Sequence, residues 1–244
     1  PLQMVPRELR DILASSVTDL GDVRLRQGRF LTGTVLNSVG SPVFNADVDA
    51  RDLITDEKIV TPGDNTNSSG VFGIWVPEGD LEIEIDPPNG STFVPLLQEI
   101  NVPATGVDLG ILTMVEGVAV SGVVVDGTQS VVPGVDLDFL ISASGVEIPT
   151  ADDNANSTGQ FSVQVVPDTY DIAFRPSFVT GLAPLVLSSV SVASNTDLGT
   201  VLLPDGVALT GTILAGGLPV AGAEIALLNP GTGAFTYLLG NDTD

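Results

Sequence analysis

A repeat constrains this chain more than any other feature. The tripeptide Asp-Leu-Gly begins at Asp19, Asp108 and Asp197, spaced by 89 residues each time. At the same interval a glycine sits between β-favouring neighbours: Gly33, Gly122 and Gly211, in TGT, SGV and TGT. Gly28, Gly117 and Gly206 form a third series, and Pro6, Pro95 and Pro184, each 13 residues before an Asp-Leu-Gly, form a fourth. Four landmarks at one period make the chain a tandem array of one structural unit. Complete copies span 29–117 and 118–206; residues 1–28 match only the end of a unit, and 207–244 only its beginning.

Superposing the copies predicts seven short strands, a to g. Strand a is Leu31–Val35, Val120–Val124 and Leu209–Ile213; strand b begins at Ala46, Val135 and Ala223. Strand c leads into an Asn/Asp turn, GDNTNSSG or DDNANSTG. Strands d and e follow in VFGIWVPEGDLEIEI and QFSVQVVPDTYDIAF, and f and g close the unit around the proline and Asp-Leu-Gly. LEIEI and FSVQV alternate with period two, which buries one face and wets the other. The expected fold is all-β: tandem seven-stranded, Greek-key-like β-sandwiches in an elongated array. Pro176–Thr196 and Gly206–Ala223 are long and uncharged, but Pro, Gly and Ser interrupt both. They read as sandwich strands, not membrane spans. In PRELRDILASSV, Pro6 with Leu9, Ile12 and Leu13 suits an amphipathic helix, whereas its alignment with PLLQEINVPAT and PLVLSSVSVAS favours a strand.

Composition narrows the chemistry. The chain has no His and no Cys, and its 31 Asp+Glu against 8 Lys+Arg give a net charge of −23. Disulfides, thiolate nucleophiles and Cys-type metal sites are excluded, and the side chain best suited to proton transfer near neutrality is absent. So negative a field makes nucleic acid and acidic membrane surfaces poor partners. Glu82/Glu84 and Asp136/Asp138 stand two apart on strands, which places them along a solvent face rather than as a catalytic pair. Trp75 reads as core, with a sugar-stacking platform shared with Phe72 as the alternative. The sequence therefore predicts no enzyme and no cofactor.

The segments GSPVFNADV (Gly40–Val48), NSSGVF and VPEGDL, with VPGVDL, NSTGQF and VPDTY in the second copy and LPVAGAEI in the third, resemble the carboxypeptidase regulatory-like domain. That domain is a transthyretin-like sandwich related to collagen-adhesin B-type repeats. The resemblance implies a non-catalytic module of extracellular or cell-surface proteins, serving as stalk, spacer or adhesin scaffold. Some adhesin relatives lock each module with a Lys–Asn isopeptide bond. Here Lys58, the chain's single Lys, falls on strand c rather than the first strand, and its counterpart is Glu147, so no such bond is expected.

Beginning at Pro1, the chain reads as a processed product or a piece of something longer. Partial units of this size cannot bury a core alone and leave strand edges open. The expectation is that the head of one copy and the tail of another complete each other, a heterologous contact that propagates into a fibre. Arg7, Leu9, Arg10, Ile12, Leu20, Arg24 and Arg26 are the assembly candidates on the head, and Leu209, Ile213 and Ile225 those on the tail. With Arg29, the first 29 residues carry a net +1 against −24 for the rest, which favours docking to an acidic neighbour. Head and tail together still lack a d–e hairpin, and a window cut from a longer array is the other reading. Alternative functions are a carbohydrate- or protein-binding adhesin module, or the spacer of a longer secreted protein. Asp64, Asn65 and Asn67, and Asp152, Asp153, Asn154 and Asn156, supply oxygens suited to Ca²⁺. They lack regular calcium-loop spacing, and Asx turns account for them more simply. Asn67, Asn89, Asn156 and Asn241 lie in N-x-S/T sequons, and Ser68, Ser69, Ser157 and Thr158 are candidates for O-linked sugar, so covalent glycan is a further expectation.

Overall fold

The computed structural model describes residues 3–9, 12, 19–223, 225–228, 231 and 235–236. It divides into two compact units, residues 1–117 and 118–244. Both contain a β-sandwich, and the fold is all-β and tandem.

The first sandwich comprises β1 (Arg29–Asn37), β2 (Asp47–Asp52), β3 (Lys58–Ile59), β4 (Val71–Val76), β5 (Gly79–Asp86), β6 (Leu96–Val102) and β7 (Val107–Met114). They form two sheets, β4-β1-β7 and β3-β2-β5-β6. The chain changes sheet after β1, β3, β4 and β6. β1 pairs antiparallel with β4 and parallel with β7. Period-two alternation points Leu31 and Val35 of β1, Phe72, Ile74 and Val76 of β4, and Leu81, Ile83 and Ile85 of β5 into one core.

The second sandwich comprises β8 (Val118–Val125), β9 (Asp136–Ile141), β10 (Gln160–Val165), β11 (Asp168–Arg175), β12 (Leu185–Val192) and β13 (Thr196–Leu202), in sheets β10-β8-β13 and β12-β11-β9. Its strand c shrinks to one bridge, Leu140 with Glu147, the counterpart of Arg51 with Lys58. Tyr170, Phe139 and Phe174 are its largest fully buried side chains. The Tyr170 hydroxyl donates to the Val166 carbonyl at 2.7 Å, and burial pushes its pKa up to about 12. Pro176–Thr196 contains a short 3-10 turn, Phe178–Thr180, and β12. No helix among the described residues is long and apolar enough to cross a membrane.

The repeat landmarks are packing devices. Asp108 accepts the Gly110 N–H at 2.9 Å and Asp197 that of Gly199 at 2.8 Å. Both glycines have positive φ. There the parallel pairing slips, between Thr32 and Thr34 in one sandwich and between Asp197 and Thr200 in the other, so Asp-Leu-Gly encodes a bulge in strand g. Gly33 and Gly122 lie opposite Phe72 and Phe161. A Cβ on them would stand 2.8 Å and 2.7 Å from those rings. The aromatic ring takes the space that a side chain on strand a would need.

At the ends, pairing differs from the expectation. In the head the one bridge among the described residues is Met4 with Gln27, the 89-residue counterpart of Phe93 with Glu116 and Leu182 with Asp205. Gly28 N–H donates to the Gln3 carbonyl at 2.8 Å, as Gly117 does to Thr92 and Gly206 to Gly181. Residues 6–9, 12 and 19–26 form neither the expected strands f and g nor a helix; Arg10 and Leu13 lie outside the described residues. Val5 is buried in the core of the first sandwich. In the tail, β14 (Leu214–Ala215) pairs with β15 (Leu218–Pro219), and β16 (Leu227–Leu228) with β17 (Phe235–Thr236). The second pairing repeats that of β2 with β3, displaced by one residue because the turn after Ala215 is one residue shorter. The expected third strand a, Leu209–Ile213, is not a strand, and strand b survives only at its end. Local hairpins form because their partners are adjacent in sequence. The longer strands need distant partners, and among the described residues none pairs with them.

Candidate assembly surface

Both ends expose residues whose counterparts form the sandwich cores. Val23 is 44% exposed and Leu25 45%. In the complete sandwiches the same positions, Leu112 and Val201, then Met114 and Leu203, are buried. Leu209 is 73% exposed, against 0% for Leu31 and Val120. Ile225 and Leu227 are exposed, whereas Val48 and Leu137, then Ala50 and Phe139, are core. Leu9, Ile12 and Leu20 are exposed as well, and Ile213 is partly buried. The expected assembly residues thus flank two incomplete apolar faces of the kind that mark interaction sites.

The head arginines do different things. Arg26 donates to Asp52 at 2.7 Å and lies 3.9 Å from Glu57. It ties the head to the β2–β3 hairpin and holds the Asp52 carboxyl below its usual pKa. Arg29 pairs with Glu78 at 2.8 Å. Arg7 and Arg24 line a cleft of about 230 Å³ between the head and Lys58–Val60.

The Asn/Asp turns are organised by their own hydrogen bonds. The Asn67 side-chain oxygen accepts the N–H groups of Ser69 and Val71, and that of Asn156 accepts those of Thr158 and Gln160. Asp64 accepts from Thr61 and Asp153 from Thr150, both at 2.7 Å. Asn154 donates to Asp153 at 3.2 Å; Asp152 has positive φ, and Asn65 is exposed. Asn89 is exposed in the turn after β5, and Asn241 lies outside the described residues. Among the described residues no group of three or more acidic side chains converges as a metal site. A shallow depression of about 930 Å³ lies over the β10-β8-β13 sheet, lined by residues such as Ser121, Val123, Phe161 and Asp197 and by Asp152, Asp153, Asn154 and Asn156 of the adjoining turn. Lys58 pairs with Asp49 at 2.6 Å.

Two readings from the sequence are corrected. Trp75 is not core: strict alternation in β4 sends Phe72, Ile74 and Val76 inward and Trp75 outward. It meets the Phe30 ring at a tilt of 53° and a centroid distance of 5.2 Å, and the Phe30 ring itself covers Gly73. Asp138 does not line a solvent face, since its side chain is only 11% exposed and its Oδ2 lies 2.5 Å from the Arg175 Nε. Burial pushes its carboxyl up to about 6, helped by Glu147, Asp136 and Asp153 and opposed by Arg175.

The folded state therefore holds the Asp138 proton more tightly than the unfolded chain does. Its contribution to stability is complete below the usual value of 3.8 and is lost as the pH rises through about 6. Burial raises Asp153 in the same direction. Asp171 works the opposite way, held low by the N–H of Ser189 and the hydroxyl of Ser142. Because the Asp138 shift is the large one, the second sandwich is expected to melt at a higher temperature at about pH 5 than at about pH 7.5. Asp138→Asn should flatten that dependence in pH-resolved melting curves, and an unchanged profile would refute the assignment.

No protein-family model matches the chain, and no curated protein matches it. Among solved structures, the Bacillus anthracis TIE protein is similar over 86% of this chain and 41% of the matched chain, at 14% identity and a TM-score of 0.30. This chain thus spans less than half of that one's length. The shaft pilin SpaA of Lactobacillus rhamnosus GG is similar over 75% of this chain and 100% of its own, at 11% identity and a TM-score of 0.33. A streptococcal ancillary pilin is similar over 75% of this chain and 65% of its own, at 11% identity and a TM-score of 0.30.

Sequence reasoning missed the burial of Val5 and the role of Arg26. Val5 has a signal, being the counterpart of Val94 and Ala183 next to the recurring proline. Arg26 has none, because its partner Asp52 is 26 residues away and only the folded hairpin brings it near.

Proposed function

We propose that this chain is a structural, non-catalytic subunit of an extracellular fibre, stalk or surface appendage, assembled head to tail from copies of itself by intermolecular strand complementation. The observation that carries this reading is the exposure of Val23, Leu25 and Leu209 at positions buried in both complete sandwiches. One end offers strand g material and the other offers strands a to c, and in a complete sandwich a and g are hydrogen-bonded neighbours. Their different surfaces give a contact that repeats without closing. The exposed Asn67, Asn89 and Asn156 are the positions at which such a subunit would carry glycan.

Electron microscopy of the purified chain should show uniform fibres with an axial repeat. Replacing Val23 and Leu25 together by Asp should leave single copies with unchanged melting, because both side chains are already exposed in the isolated chain. Monodisperse short particles from the parent chain would overturn the proposal, and so would fibres of undiminished length from the double variant. Deleting the whole head is a poorer test, since Val5 belongs to the core of the first sandwich.

A further inference from the structure

We propose that residues 210–215 of one copy pair in parallel with residues 19–25 of a second copy, with the Asp19–Gly21 bulge seated over Gly211. This rests on the head-to-tail reading and specifies its seam.

Register is the first argument. Strand g lies parallel to strand a in both complete sandwiches, with Thr32 opposite Asp108, Thr34 opposite Ile111 and Val35 opposite Leu112. The second repeats this with Ser121 opposite Asp197, Val123 opposite Thr200 and Val124 opposite Val201. Carried along the 89-residue period, the same pairing sets Thr210 opposite Asp19, Thr212 opposite Asp22 and Ile213 opposite Val23.

Gly211 is the second. Among the described residues nothing lies within 4 Å of the place its Cβ would occupy, and its φ is not in the left-handed range. The described residues therefore give no steric reason for glycine there. Its counterparts are crowded. A Cβ on Gly122 would stand 2.7 Å from the Phe161 ring and 2.8 Å from the Gly199 carbonyl oxygen, and one on Gly33 would stand 2.8 Å from the Phe72 ring, with the Leu109 Cβ at an ordinary 3.5 Å. The rings belong to strand d, and the Gly199 and Leu109 contacts come from the bulged strand g. The head residues matching Gly199 and Leu109 are Gly21 and Leu20. Gly211 thus leaves room for a bulged strand g of the kind that approaches Gly122.

The head is also prepared to supply that strand. Asp19 accepts the Gly21 N–H at 2.9 Å, and Gly21 has a φ of 61°, matching the bulges of the complete sandwiches. A bulge formed before docking lowers the ordering cost of association. The first 29 residues carry a net +1 and the rest of the chain −24, so the N-terminal segment is drawn to an acidic neighbouring copy.

The absence of Cys from the chain makes the test clean. Full-length Asp22→Cys copies mixed with Thr212→Cys copies, and oxidised to the disulfide, should give crosslinked dimers, because a disulfide bridges directly opposed positions but not Cα atoms more than about 7 Å apart. A mixture of Asp22→Cys with Thr210→Cys should give at least about tenfold less. Adding Gly211→Val to the Thr212→Cys copy should cut the yield at least about tenfold, equivalent to about 1.4 kcal/mol, while leaving the melting of both sandwiches unchanged. Fibres that form without the Asp22–Thr212 crosslink, or a yield indifferent to Gly211→Val, would overturn this seam and leave the fibre reading standing. Absence of both fibres and crosslinks would overturn the two together. In a chain carrying both cysteines, a crosslink confined to single copies would overturn the second copy as partner.

Discussion

Phe139→Ala is expected to destabilise the second sandwich by about 3–5 kcal/mol. The ring is fully buried, sits opposite Ile172 across the β9–β11 pairing and meets Tyr170 edge-on at a centroid distance of 5.8 Å. Its removal leaves a cavity, and the Tyr170 hydroxyl, anchored to Val166, keeps the neighbouring ring from swinging in. Against a typical domain stability of about 5–15 kcal/mol this is a large fraction. The first sandwich has Ala50 at the corresponding position and its own separate core. Denaturant unfolding should therefore show one transition moved to much lower denaturant and one left in place. A single unshifted transition would contradict this account of the core.

Gly122→Ala carries the second large effect, about 1–3 kcal/mol and at the upper end of that range. The new methyl group would stand 2.7 Å from the Phe161 ring and 2.8 Å from the Gly199 carbonyl oxygen. The ring is held in the core against Phe174, and the carbonyl belongs to the bulge that Asp197 fixes by accepting the Gly199 N–H. Phe161→Leu in the same chain should recover part of the loss, a coupling that a double-mutant cycle reads directly. Strictly additive losses would show that ring and glycine do not share the space.

The two complete sandwiches were largely legible because their strands carry local signals. LEIEI alternates along β5, QFSVQV along β10, and glycines mark the turns, so burial follows from period-two geometry alone. The head and tail were less legible, because similarity to a strand is not a strand. Leu209–Ile213 has the same pattern as Leu31–Val35 yet stays outside any sheet, since β structure is decided by a partner more than by propensity. Asp138 shows a related limit: alternation assigns it the outer face, but Arg175, its ion-pair partner on the next strand, helps enclose it. At the candidate seam the landmarks Asp19 and Gly211 were visible from the repeat. What they are for required Gly122 and Gly199, where the same contact is made in full.

The parallel pairing of β1 with β7, and of β8 with β13, has a mechanical consequence. Parallel neighbours begin at the same end of a sandwich, so the chain enters at one end through strand a and leaves at the other through strand g. Tension applied along the polypeptide pulls these two strands in opposite directions lengthwise, loading their row of hydrogen bonds in shear. The bonds must yield together rather than unzip singly, and that resistance belongs to the unfolding rate rather than to the equilibrium stability.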